Sequence, residues 1–419
     1  MKEPRMDAKP SAKGMYLRGL VDPYRGLGSS LWAMFFSTII NRFGDFVGAF
    51  LALYLTRILG YGPARAGLVV SFVFAASMAG SLVSGRLADA IGRKRALVAT
   101  QAGTVAVNLV LAFFWSKPWA PGLIAFGSFL GGGARPLISA VLIDLAPIDR
   151  RKEVFSLQYL AINVGVAFGP LVAAFFFDHA IFMLFGASAI CTMVSVTLIS
   201  RGVKPPQTIH VVSILERHDD RGALKAFLGR PILLAFLCLS LANSLSYSQT
   251  FFALPLSLSS VFGPDGPRNL GYLISLNGIL VIVLTIPLIR LLRRLDPLRC
   301  MALSGAFYVV GFGMMAFKLS FAGYILSVII WTLGEIIGAN VFGIFIARHS
   351  PANWRASFQS FMGLAVGGGN ALGPLVAGLL IAIDGGATLW IATAALCGCW
   401  GCLSLLVARW DRRIAGGAA

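Results

Sequence analysis

Charge is what this sequence has least of. Of its 419 residues only 12% are charged, with 17 acids and four histidines, while 57% are hydrophobic and the mean hydropathy is +0.81. A chain so short of solvating groups cannot cover a water-facing surface, which excludes an ordinary soluble domain. The six cysteines, at 191, 238, 300, 397, 399 and 402, all lie in or at the ends of apolar runs, so no external disulfide framework is expected. "CGCWGC" has ligand-like spacing for a soft metal, but no acid or histidine accompanies it; small residues packing a helix are the expectation, and no metal. The alternating ten-residue pattern of a membrane barrel is missing as well. The histidines, at 179, 210, 218 and 349, sit in loops or span ends, and no segment joins a nucleophile, a base and an orienting group, so no enzyme is expected.

What the chain does have is long apolar runs. Twelve are long enough to cross a bilayer as helices, at about 31–56, 65–85, 96–115, 122–146, 154–177, 180–200, 231–259, 269–289, 300–317, 321–347, 356–382 and 387–408. The residues before the first run show no short apolar core with a small-residue cleavage site, so no cleavable signal is expected. The net charge of +18 resembles a nucleic-acid footprint until its distribution is followed. Of the 35 Lys and Arg, 28 fall in segments on the side of the N-terminus and five on the other. That bias predicts a multi-pass protein of the cell (inner, cytoplasmic) membrane with both termini cytoplasmic, its basic partner being the lipid bilayer and not nucleic acid.

Sliding the chain on itself by 204 residues aligns several features at once. "GPARAG" (62–67) meets "GPRNLG" (266–271), Ser71 meets Ser275, Arg86 meets Arg290, Pro147 and Arg151 meet Pro351 and Arg355, and "GPLVA" at 169–173 recurs at 373–377. Six spans per half is an even number, so the duplication is parallel and its axis lies along the membrane normal. The expected fold is an all-α membrane protein of twelve transmembrane helices in two six-helix halves related by a pseudo-twofold axis. The expected divisions are a cytoplasmic N-terminal tail (1–28), a first half (29–200), a cytoplasmic linker (201–230) with room for one amphipathic helix, a second half (231–408) and a tail (409–419).

The loop after the second run reads "GRLADAIGRKRAL" (85–97) and resembles the signature loop of the major facilitator superfamily, with Gly85, Leu87, Asp89, Gly92, Arg93, Lys94 and Leu97 in place. The resemblance implies a gating role: such a charge cluster, with Asp144 as a second acidic partner, latches the halves in the outward-facing state. In the fifth span Gly165, Gly169 and Pro170 of "NVGVAFGPLVAA" resemble the motif of drug:proton exporters and are placed with the gating residues. Ala173 and Ala174 replace its last glycines, and its recurrence at Gly369, Gly373 and Pro374 also suits helix packing. "FSLQYLAINVG" (155–165) is similar to the fifth-span signature of proton-coupled peptide transporters, and "NRFGDF" to their first span, although Thr38 and Asn41 stand where that family has glutamates.

Few ionisable residues lie deep in the spans. At 1.5 Å per residue, Asp45, Arg135 and Glu335 come to similar depths near mid-membrane, and Arg42 sits one turn from Asp45. Thr38, Asn41, Arg42 and Asp45 follow three- and four-residue steps, the pattern of one polar helix face. Each charge facing lipid costs about 3 kcal/mol, so a shared hydrated cavity is expected. Asp45 or Glu335 is expected to carry a coupling proton, with Asp45 slightly favoured, and Arg42 and Arg135 to tune it or bind substrate anions. Tyr159 and Asn163 of span five, Asn243, Tyr247 and Gln249 of span seven, and Trp331 and Asn340 of "WTLGEIIGAN" complete the expected substrate cavity. The expected function is proton-coupled secondary transport by alternating access, exporting lipophilic or amphipathic molecules, with symport of peptides or other zwitterions as the alternative. The expected working unit is a monomer driven by the proton gradient, without a cofactor.

Overall fold

A bilayer core offers no water to backbone N–H and C=O groups, so an apolar run crosses it by bonding to itself as helix. The computed structural model describes residues 24, 26–204, 220–339, 341–350 and 355–416, and among these there is no strand. The first half is built from α1 (Ser29–Phe43), α2 (Phe46–Leu53) with a π-helical turn (Tyr54–Ile58), α3 (Pro63–Ile91), α4 (Arg93–Phe114), α5 (Ala120–Gly132), α6 (Ala134–Leu145), α7 (Arg151–His179) and α8 (Ile181–Gly202). A short helix, α9 (Asp220–Leu228), leads into the second half. There follow α10 (Pro231–Tyr247), α11 (Gln249–Phe262), α12 (Gly266–Leu292), α13 (Pro297–Met314), α14 (Phe321–Ala339), α15 (Val341–His349), α16 (Arg355–Asp384) and α17 (Ala387–Gly416).

Eleven stretches of the described residues are long and apolar enough to span a membrane, and one of them, Pro231–Leu292, has 62 residues. A helix of that length would reach about three times the hydrocarbon thickness. It turns back instead at Gly263–Asp265, where Gly263 takes φ +54°, and α11 packs on α12. The chain therefore crosses twelve times in two six-span halves.

Several crossings are broken helices. Span one stops at Phe43 and restarts at Phe46 because Gly44 lies against Cys191 with no room for a Cβ. Ser188 of span six donates to the Gly44 carbonyl at 2.7 Å, satisfying the acceptor at the break. Span four breaks at Gly133, where a Cβ would stand 2.5 Å from Ser84 of span two.

The duplication is visible in what the glycines touch. A Cβ on Gly165 would lie 2.5 Å from Arg42 Cβ, and one on Gly169 2.5 Å from the Phe43 carbonyl. At the repeat-related positions, a Cβ on Gly369 would lie 2.5 Å from the Leu241 carbonyl, and one on Gly373 would strike Ser248. Spans five and eleven thus use the same pair of glycines to seat themselves on spans one and seven.

The two seams between the halves obey the same symmetry. Gly67 of span two sits against Pro374 and Gly378 of span eleven, while Gly271 of span eight sits against Pro170 and Ala174 of span five. All six residues lie toward the face opposite the chain termini. There Arg57 at the end of span one donates to Ser259 Oγ at 2.5 Å and to the Gly263 carbonyl of the other half. Toward the terminal face the contacts thin out: Gly85 and Gly363 have nothing within 4 Å of an added Cβ, and Leu82 and Ile286 are exposed. The halves are sealed at the far face and part toward the terminal face.

Candidate functional site

The cleft between the halves has two unlike walls. On the first, Arg42 Nη1 stands 3.7 Å from Asp45 Oδ2, and the Asp45 side chain is 57% exposed because the helix break lifts it out of the span. Arg135, placed at the start of α6 by the break in span four, is exposed. Two arginines and one aspartate leave this wall net positive.

The second wall centres on Glu335 of α14, which is half-buried. Its Oε1 accepts from the Tyr247 hydroxyl and its Oε2 from Asn277 Nδ2, both at 2.7 Å, and Asn277 also reaches Thr332 Oγ1 at 3.0 Å. Every one of these donors is neutral. Trp331 is buried between the rings of Tyr247 and Phe312, with centroids 6.2 and 6.0 Å away. Among the described residues, Trp331 Nε1 and Asn243 Oδ1 are buried without a partner, one an unused donor and the other an unused acceptor. Tyr159 of span five, half exposed, adjoins Thr285 of span eight across the cleft.

The remaining expected cavity residues are placed differently. Thr38 is buried and paired with Gln158 of span five, whose Nε2 lies 2.9 Å from its hydroxyl. Asn41 is half-buried one turn on, and the break at Gly44 means that the polar face foreseen through Asp45 is not one continuous helix. Asn163 donates to the Tyr159 carbonyl at 2.8 Å. Gln249 is buried and donates to the Leu245 and Gly373 carbonyls, tying span seven to span eleven. Asn340 lies outside the described residues.

In the signature loop, Arg93 Nη1 meets Asp144 Oδ1 at 2.5 Å, and Lys94 donates to the Ser200 and Val203 carbonyls at 2.8 and 2.6 Å. Gly92 holds φ +90°, a conformation that side chains disfavour, and so makes the turn. Asp89 is exposed and has no ion pair among the described residues. The cluster therefore braces spans three, four and six of one half, and among the described residues its bonds stay within that half.

Sequence reading missed Asn277, Thr332, Gln158, Thr285 and Arg57. A polar residue facing a deep charge was the available signal for Asn277, but a single sequence does not say which helix faces which.

The major facilitator superfamily model matches residues 34–374. The uncharacterized MFS-type transporter YqjV of Bacillus subtilis (strain 168) is 24% identical over 365 residues, 84% of this chain and 87% of that one. A Na(+), Li(+), K(+)/H(+) antiporter of Planococcus maritimus is 23% identical over 78% of this chain and 83% of its own. The multi-drug resistance efflux pump PmrA of Streptococcus pneumoniae is 33% identical over 167 residues, 38% of this chain and 41% of that one. Among solved structures, peptide transporter POT in complex with sulfate superposes with TM-score 0.74 at 18% identity, covering 93% of this chain and 96% of that one. Nucleoside transporter NupG gives 0.73 at 16%, covering 90% and 98%. With its twelve spans, its two symmetric halves and its signature loop, the chain belongs to the major facilitator superfamily.

Proposed function

We propose that the protein is a proton-coupled exporter of lipophilic or amphipathic organic molecules, working by alternating access as a monomer in the cytoplasmic membrane with both termini inside. The observation that carries this reading is Glu335, a deep carboxylate held, among the described residues, by neutral donors and walled by Trp331, Tyr247 and Phe312. Such an acid can gain or lose a proton without stranding a buried cation, and aromatic faces suit apolar or cationic solutes. Asp45 is already paired with Arg42, so protonating it leaves a guanidinium uncompensated; Glu335 is the better coupling acid and Asp45 the better anchor for Arg42. In this topology the sealed far face and parted terminal face make the state inward-facing. The drug-pump and cation/proton-antiporter relatives support proton exchange over uniport.

A second reading, symport of peptides or other zwitterions, rests on the opposition of a positive wall, Arg42 and Arg135, to a carboxylate, Glu335. Proteoliposomes under an imposed pH gradient separate the two. Export predicts that a lipophilic cationic dye moves against the proton flux; dipeptide accumulation with inward protons, and no dye movement, would establish the symporter instead.

A further inference from the structure

A cavity of about 400 Å³ opens on the terminal face of the second half, away from the cleft, lined by Arg230, Ile232, Arg348, His349 and Ser350. It lies where span seven starts and span ten ends. We propose that it binds a phosphate-type anion, a phosphomonoester or phosphodiester.

Four features converge there. Helix α10 begins at Pro231 with Arg230 in the N-cap position and no side chain capping it. Leu233 and Leu234 both return their N–H groups to the Arg230 carbonyl, but Ile232, the second residue of the helix, has no intrahelical acceptor within reach. The positive end of a 17-residue helix, with an N–H that has no partner among the described residues, therefore stands at the cavity wall. Arg230 spends one N–H on the His349 carbonyl, which fixes its arm across the wall, and lays its guanidinium over the Phe358 ring at 5.9 Å. Among the described residues its planar fork makes no other hydrogen bond, which leaves donors for an anion.

Arg348 is held loosely. Its side chain is 58% exposed and its nearest carboxylate oxygen, on Asp296, is 3.8 Å away. Ser350 is the opposite case: it is only 8% exposed, and its Oγ is buried with no partner among the described residues. A buried hydroxyl left unmatched costs free energy that a bound oxyanion would recover. Among the described residues, Asp411 is paired with His349 at 2.9 Å, Asp296 stays 3.8 Å from Arg348, and no ion pair joins an acid to Arg230. The position at the ends of two spans is the level of lipid headgroups, and a soluble phosphate ester has the same chemistry.

The test uses the full-length protein purified in detergent. Its melting temperature is followed against inorganic phosphate at constant ionic strength, and its adducts with phosphatidylglycerol against phosphatidylcholine by native mass spectrometry. The wild type is expected to bind at least one of the two anions, with Arg348→Gln and Ser350→Ala each weakening it, the former by about tenfold. Arg95→Gln, in a smaller basic cavity lined by Lys94, Val98, Ala99 and Ser200, should leave binding unchanged. Phosphatidylglycerol retention without a phosphate response identifies the lipid as the source, and the reverse identifies the free anion; either supports the site. No preference for phosphate over chloride and for phosphatidylglycerol over phosphatidylcholine, or an equal loss in Arg95→Gln, would overturn it. Arg348 is exposed, so Arg348→Gln should melt as the wild type does without ligand, which separates lost binding from lost folding.

Discussion

Tyr247 donates its hydroxyl to Glu335 at 2.7 Å, across from span seven to span ten, and Asn277 of span eight takes the second carboxylate oxygen at the same distance. Three helices of the second half therefore meet on one acid, and each can respond when its charge changes. Tyr247→Phe and Asn277→Ala each remove one donor at a cost of about 1 kcal/mol. Both variants should fold, but the dependence of flux on external pH should differ from wild type in each. An unchanged pH profile in both would remove Glu335 from the transport cycle.

At the far-face seal, beside the Gly67 and Gly271 contacts, Arg57 reaches Ser259 and Gly263 of the other half. Arg57→Ala should weaken it and populate the state open at that face. Spin labels at residues 60 and 264 in a cysteine-free background should show a longer distance component than in the parent protein. An identical distance distribution would mean that Gly67, Gly271 and their partners close this face without Arg57.

Repeat-related glycines should tolerate substitution equally badly. Gly169→Val forces a side chain into the Phe43 backbone and Gly373→Val into Ser248, each overpacking by about 1–3 kcal/mol or more. Both should lower the melting temperature in detergent, whereas Gly85→Ala, with open space around it, should not. A normal melt for Gly169→Val would show that spans one and five do not pack this closely.

The brace of the signature loop has a counterpart of opposite sign. Arg93 pairs with Asp144 in the first half at 2.5 Å, and Asp296 with Arg348 in the second at 3.8 Å, Asp144 and Arg348 being 204 residues apart. Partly exposed pairs of this kind contribute about 0–1 kcal/mol. Asp144→Arg should nevertheless destabilise the first half, by setting two guanidinia together, and Arg93→Asp in the same chain should restore the melting temperature. Failure of the double exchange to recover would mean that Arg93 acts through the Ala140 carbonyl alone, 3.5 Å away.

The fold was legible because hydropathy, duplication and the signature loop are each written along the chain, and the glycine pairs of spans five and eleven carry the duplication into packing. The breaks were not. Nothing local in "NRFGDF" says that Cys191 and Ser188 of a distant span will trap Gly44, so spacing alone places Asp45 on one continuous helix face. Residue counts give Asp45, Arg135 and Glu335 similar expected depths, but they say nothing of the partners. Gln249 and Thr38 look like cavity residues in sequence because a polar side chain in a span has two uses, facing water or tying helices together, and only packing separates them.

In the proposed cycle, Glu335 couples proton movement to substrate movement. The most direct measurement compares Glu335→Gln with Asp45→Asn in proteoliposomes, reading pH-gradient-driven dye transport and gradient-free dye exchange side by side. Glu335→Gln should lose gradient-driven transport while keeping exchange, and Asp45→Asn should retain part of both. Gradient-driven transport at the wild-type level in Glu335→Gln would show that Glu335 does not carry the coupling proton.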